Sequence, residues 1–165
     1  MSGAAPFLGR VAVVGVHILD VLGRPVQEIP PGQGSARLEE IRATAAGTAA
    51  GTGVDLTRLG ASVACYGAIG TDLLADILVG ALSREGADTR GLVRKSAAQT
   101  SATILPIRPN GERPALHVPG ASRLLEIADI DLSALGRYDA VLLGGPDALT
   151  GLSPDDLTAV AAAVR

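Results

Sequence analysis

Cysteine occurs once, at Cys65, and tryptophan not at all; the only aromatic rings are Phe7, Tyr66 and Tyr138. A lone cysteine excludes an internal disulfide framework and points to a reducing compartment. Three scattered rings make no stacking platform for single-stranded nucleic acid. Excess positive charge is also missing, since 14 basic residues face 17 acidic ones for a net charge of −3. That balance argues against a phosphate-backbone partner. His17 and His117 lie far apart with no second cysteine to join them, so no metal site is expected. No apolar run reaches the roughly 18–20 residues that span a bilayer. The opening "MSGAAPFLGR" lacks the basic-then-apolar layout of a secretory signal. These absences together predict a cytoplasmic protein with no nucleic-acid or membrane partner.

What is present is 165 residues, 47% of them hydrophobic, enough for one domain with a real core. "RVAVVGV" (10–16), "SVACYGAIG" (62–70) and "YDAVLLGG" (138–145) are short, apolar and stopped by glycine, the pattern of strands buried on both faces. Between the last two, Thr71 stands as a cap and Asp72 in the first turn of a helix. Leu74, Ile77, Leu78, Ala81 and Leu82 share a face of it, and Gly86 stops it. "SPDDLTAVAAAVR" closes the chain as a helix with Ser153 as cap, Pro154 in first position and acids in the first turn. Buried strands alternating with helices predict an α/β fold, a mostly parallel sheet with helices on both faces. Two segments are extra. Residues 22–42 are proline-rich with half-polar runs that read as edge strands. Residues 100–118 read as a strand pair turned at "PNGE". Both suit a small β flap near a site.

The stretch "ATAAGTAAGTGVDLTRLGA" (43–61) places Gly47, Gly51 and Gly53 at the mouth of a helix that ends near Gly60. Glycine costs a helix about 1 kcal/mol relative to alanine, so this clustering calls for a reason. A phosphate-binding loop needs a lysine after its last glycine, and the next basic residue after Gly47 is Arg58. A dinucleotide fingerprint needs a third glycine where Leu56 stands. Two readings are left: tight packing of the helix on the sheet, or a mouth whose exposed N–H groups bond a neutral polar ligand.

The block from Ala46 to Gly70 resembles the N-terminal signature of the ribokinase-like (PfkB) sugar kinases. Ala46-Gly47, Gly51, Gly60 in "TRLGA" and Gly70 in "GAIGTD" keep that family's register. "VVGVHILDV" is similar to the family's first strand, with Asp20 five residues after Gly15. "ILPIRPNGERPALHVPGAS" is similar to its later strand pair and Gly-Ala-Asn turn, here Gly120-Ala121-Ser122. The resemblance implies a ribokinase-like fold with a β lid from about 22–42 and 100–118. It also implies substrate binding by Asp20, Gly47, Thr48 and Gly51. Asp20 would accept hydrogen bonds from two sugar hydroxyls, and the backbone at Gly47 and Thr48 would bond others. Gly51 replaces the family's sugar-binding asparagine and widens the pocket.

The resemblance further implies ATP and Mg2+ as cofactors of a complete enzyme, and leaves room for a homodimer paired through the lid. The family's catalytic aspartate and anion hole, a motif of the DTxGAGD kind, have no counterpart in "GGPDAL" or "GLSPDD". The expectation is therefore an N-terminal half whose sheet is incomplete, without catalytic or nucleotide-binding residues, inactive alone and binding no cofactor strongly. A non-catalytic sugar-binding or interaction domain is the rival reading.

Overall fold

The computed structural model describes residues 9–164. In chain order the elements are β1 (Arg10–Gly15), β2 (Ile18–Arg24), β3 (Glu40–Ala46), α1 (Thr48–Arg58), β4 (Ser62–Ile69), α2 (Leu73–Arg84), β5 (Asp88–Arg94), β6 (Ala102–Pro106), β7 (Leu116–Val118), α3 (Leu132–Leu135), β8 (Ala140–Gly144) and α4 (Pro154–Ala162). Short 3-10 turns at Gly120–Leu124, Ile127–Asp129 and Pro146–Ala148 complete it.

Four strands form a parallel sheet in the order β5-β4-β1-β8. β1 is its spine, paired on both sides, and Ala12, Val13 and Val14 are fully buried. Alternation along β1 divides the core into two layers. Val13, with Val63 and Cys65, faces Ala49 and Ala50 of α1 and Ala75, Leu78 and Leu82 of α2. Ala12, Val14 and Ala68 face Leu125, Ile130, Leu135, Leu149, Leu152 and Val160. The predicted helices on both faces are therefore present. Among the described residues no helix is long and apolar enough to cross a membrane.

The second sheet, ordered β3-β2-β6-β7, is mixed: β2 runs antiparallel to β3 and parallel to β6, and β7 runs antiparallel to β6. Its strands begin at Ile18 and continue to Ala46, wider than the 22–42 excursion read from proline content. The prolines fall in residues 25–39, which form no regular element between β2 and β3. At the outer end Glu40 takes ion pairs from both Arg24 and Arg42, drawing β2 and β3 together. The repeat AAGT-AAGT divides between two structures: Ala45-Ala46 end β3, Gly47 turns the chain, and the second copy lies inside α1.

One expected cap moves by a residue. Asp72, not Thr71, caps α2, its Oδ1 accepting from the Ala75 N–H at 3.0 Å. A carboxylate is the stronger acceptor, and this one also binds Thr100. The Thr100 hydroxyl donates to Oδ1 at 2.6 Å and the Thr100 N–H to Oδ2 at 2.8 Å. Burial pushes the Asp72 carboxyl up, but the bonds from Thr100 and Ala75 outweigh it and hold it below the ordinary aspartate value. Thr100 enters β6, so a single side chain fixes α2 to the second sheet. The buried stripe of α2 is correspondingly Ala75, Leu78 and Leu82, with Ile77 left 39% exposed.

His17 is fully buried where the chain passes from one sheet to the other. Its Nδ1 donates to the Gly15 carbonyl at 2.9 Å, and Nε2 is without a partner. Burial drives its pKa from 6.5 to about 4, only partly opposed by that bond. The unfolded chain therefore takes up a proton that the folded chain refuses as pH falls from 6.5 to 4. Stability declines across that window by about 3 kcal/mol from this group alone. In His17→Asn, which keeps a donor for Gly15, the decline between pH 7 and 4.5 measured by urea unfolding should be about 2 kcal/mol smaller. Matching profiles would show that His17 does not titrate this way. Asp72→Ala, which removes the cap and orphans the Thr100 N–H, should cost about 2–3 kcal/mol by the same assay; a cost below about 0.5 kcal/mol would mean the clamp contributes nothing.

Candidate functional site

Parallel sheets present their ligand sites at the carboxyl ends of the strands. Here β1 ends at Gly15, β8 at Gly144, and the mouth of α1 meets them. A cavity of about 460 Å3 opens beside this point, between the inner face of the second sheet and the α1 mouth. Ile18, Asp20, Gly47, Thr103, Leu105, Arg113, Ala115 and His117 line it.

Register explains why these side chains converge. Residues directly opposite one another in a sheet share a face. Asp20 pairs with Thr44 on β3 and with Thr103 on β6, and Thr103 pairs with His117 on β7. A polar row, Thr44–Asp20–Thr103–His117, therefore runs across the sheet. The next row on that face carries Leu22 and Leu105. The His117 Nδ1 lies 3.0 Å from the Thr103 hydroxyl, a bond that orients the imidazole and leaves Nε2 for a ligand. Asp20 is half-buried on a strand, unlike the solvated turn aspartate that its place before "VLGRP" also allows.

Gly47 forms the opposite wall. Its φ of +85° lies where side chains rarely go, and a Cβ there would meet the Val16 carbonyl oxygen at 2.6 Å. As the N-cap residue of α1 it puts bare backbone at the cavity wall. Thr48 follows, exposed, beside Gly145 and outside the lining. Gly51 stands apart. One helical turn, about 6 Å along the axis, carries it alongside the edge strand β3. There it lines a different concavity of about 410 Å3 with Thr44, Asp55, Arg58 and Arg84. A Cβ at Gly51 would meet nothing within 4 Å, so the open space is real, but it is not the space that Asp20 faces. Of the four residues read from the sequence, the structure brings Asp20 and Gly47 together, sets Thr48 at the rim of the α1 mouth, and places Gly51 elsewhere.

Thr103, Arg113 and His117 escaped the sequence reading. The only signal for Thr103 and His117 was the alternation in "TILPI" and "ALHV", which fixes faces only once the register is known, and Arg113, on the loop before β7, had none. Ser122, the counterpart of the turn asparagine, is buried: its N–H donates to the Ser101 hydroxyl at 3.2 Å, and the two hydroxyls lie 2.8 Å apart. Its role is to join the 119–122 turn to the start of β6.

The cavity has no lysine of the kind that a nucleotide phosphate loop carries, and its charged residues stand apart, with Asp20 on β2 and Arg113 on the loop before β7. Among the described residues no group of three or more His, Cys, Asp or Glu comes together for a metal ion.

Known structures repeat this frame. A candidate ribokinase from Agrobacterium tumefaciens superposes with a TM-score of 0.73 at 24% identity, covering 94% of this chain and 57% of that one. Ribokinase from Thermotoga maritima gives 0.63 at 21% identity, over 81% of this chain and 44% of its own. An uncharacterized sugar kinase from Pyrococcus horikoshii, solved in complex with ATP, gives 0.67 at 20%, over 79% and 41%. The chain thus spans about half the length of the solved structures that it matches. At these identities the likeness establishes the fold, which is ribokinase-like. The family model of pfkB carbohydrate kinases matches residues 9–165, nearly the whole sequence, and the chain belongs to that family.

Proposed function

We propose that this chain is the sugar-holding part of a carbohydrate kinase, one that transfers a phosphoryl group from ATP to a sugar hydroxyl. The observation that carries the reading is the shared cavity of Asp20 and Gly47 at the strand ends, roofed by the second sheet. Asp20, ionised and acceptor-only, takes hydrogen bonds from two neighbouring hydroxyls. The Gly47 backbone and the Thr103 hydroxyl bond others, while Ile18 and Leu105 cover an apolar face of the sugar. The mixed sheet then acts as a lid that keeps water from the acceptor oxygen. Transfer of this kind depends on positioning and charge stabilisation. In this reading the group that takes the hydroxyl proton and the donors that stabilise the developing charge belong to a C-terminal half that the sequence does not include. Mg2+ and nucleotide belong with that half.

The lid's outer face supports a homodimer. Ile104 and Leu116 pair across β6 and β7, with Val118 and Ala102 in the next row. Ile104 is 59% exposed, Leu116 63%, Val118 44% and Ile41 72%. An apolar face of this kind on a sheet is matched by a second copy of itself. Ile104→Glu should shift the chain from dimer to monomer in sedimentation equilibrium at micromolar concentration. A wild-type monomer under those conditions would refute the pairing.

Calorimetry with a panel of pentoses and hexoses tests the site itself. One of them should bind, and Asp20→Ala should weaken it tenfold or more without moving the unfolding midpoint. Equal affinity in the variant would remove Asp20 from the site. ATP-dependent phosphorylation by the 165-residue chain should be undetectable and should appear when a C-terminal half is supplied. Turnover by the chain alone would contradict the division of labour, and no rescue by any such half would favour the non-catalytic sugar-binding domain. Gly51→Asn should leave sugar affinity within twofold, because residue 51 faces the second concavity. A tenfold change would return position 51 to the substrate site.

A further inference from the structure

The cavity is not electrically uniform. Asp20 lies on β2, while Arg113 and His117 lie beyond β6, on β7 and the loop before it. Two strand spacings separate Asp20 from His117, roughly 10 Å. That is about the length of a five- or six-carbon sugar with a hydrogen bond at each end.

Arg113 is the informative residue. Its loop neighbours Arg108 and Glu112 face each other at 3.6 Å and neutralise each other. The loop's outer turn is closed by backbone bonds between Arg108, Gly111 and Glu112. Among the described residues Arg113 has no ion-pair partner, and it lines the cavity. A guanidinium offers five donors in a fixed fork and no acceptor, suited to a carboxylate or phosphate held by two parallel bonds. His117, oriented by Thr103 at 3.0 Å, brings a second donor to the same end when Nε2 carries a proton. A neutral polyol would fill the acceptor end at Asp20 and leave the fork facing a hydroxyl.

We propose that the substrate is a sugar with an anionic group, a carboxylate or a phosphate, at the end remote from the hydroxyls held by Asp20, and that Arg113 with His117 reads that group. This rests on the sugar-site reading above and specifies the chemical class it accepts. The anion stays on the far side of the cavity from Asp20, so the two negative charges are kept apart. The phosphoryl-accepting hydroxyl then lies at the strand-end mouth near Gly47. Specificity for the charged end resides in the lid rather than in the parallel sheet.

The test is titration calorimetry on the 165-residue chain with two matched series. One is D-ribose, D-ribonate and D-ribose 5-phosphate; the other is D-glucose, D-gluconate and D-glucose 6-phosphate. At least one anion should bind about tenfold or more tighter than its neutral parent, and whether it is the acid or the phosphate identifies the group. The preference should shrink between 0.05 and 0.5 M KCl, disappear in Arg113→Gln and persist in part in Arg113→Lys. Asp20→Ala should weaken neutral and anionic members alike. Arg113 is exposed on a loop, so equal unfolding midpoints of wild type and variants check that the fold is unchanged. Neutral parents binding as tightly as both anions would overturn the proposal and leave the sugar site standing. So would an Arg113→Gln variant that weakens neutral and charged members equally. Binding by no member of either series would remove both.

Discussion

Between Val16 and Gly47 two passes of the chain come so close that only backbone fits between them. The Val16 carbonyl accepts from the Ala49 N–H at 3.2 Å, and a side chain at residue 47 would collide with the same oxygen. Everything near the cavity depends on this approach. It sets where α1 begins, and therefore where the parallel sheet meets the mouth of its first helix. Gly144 repeats the condition from the other side, since a Cβ there would lie 2.5 Å from the Ala49 nitrogen. The glycine-rich mouth thus lets a helix, a strand end and a lid strand share one point.

The second sheet is held to the first by Leu19, buried in the core beside α1 and α2, and by a set of polar bonds. Asp72 binds Thr100 twice and α2 once. Ser101 and Ser122 join the start of β6 to the turn at Gly120–Leu124. His17 accepts burial with one ring nitrogen unpartnered. Buried polar groups with their partners in place hold an arrangement tightly, whereas orphaned ones cost stability. The seam combines both: it fixes the hinge side of the lid, while the outer end around residues 25–39 carries no regular structure of its own.

Much of this was legible in the sequence wherever local chemistry decides. Glycine-stopped apolar runs marked β1, β4 and β8, and Ser153-Pro154 marked the start of α4, where the structure adds a reciprocal cap from Asp156. The Thr71-for-Asp72 difference came from a tertiary partner, Thr100, that no local rule supplies. The stutter at 43–52 misleads for a related reason: identical tetrapeptides fall on opposite sides of a chain reversal, and only Gly47 has the steric reason to be glycine at the turn. Gly51 shares the family register but not the cavity, because register along a helix does not say which neighbouring strand it passes. The place of His117 in a site was invisible, since it depends on the register that sets it opposite Thr103, and Arg113 lies on a loop where no periodicity gives a face.

The division of the cavity follows from how the two sheets are built. On the parallel-sheet side the wall is backbone at Gly47, crowded by contacts that tolerate no change of side chain. At the far end of the lid side, His117 and Arg113 sit on a three-residue strand and an exposed loop, where a substitution disturbs little else. Selection for a particular sugar can therefore act on residues such as Arg113 and His117 at low structural cost. Selection on the Gly47 mouth would first have to rebuild the seam. On the proposed reading, a fold arranged in this way keeps the position of the reacting hydroxyl constant and varies what is recognised at the far end.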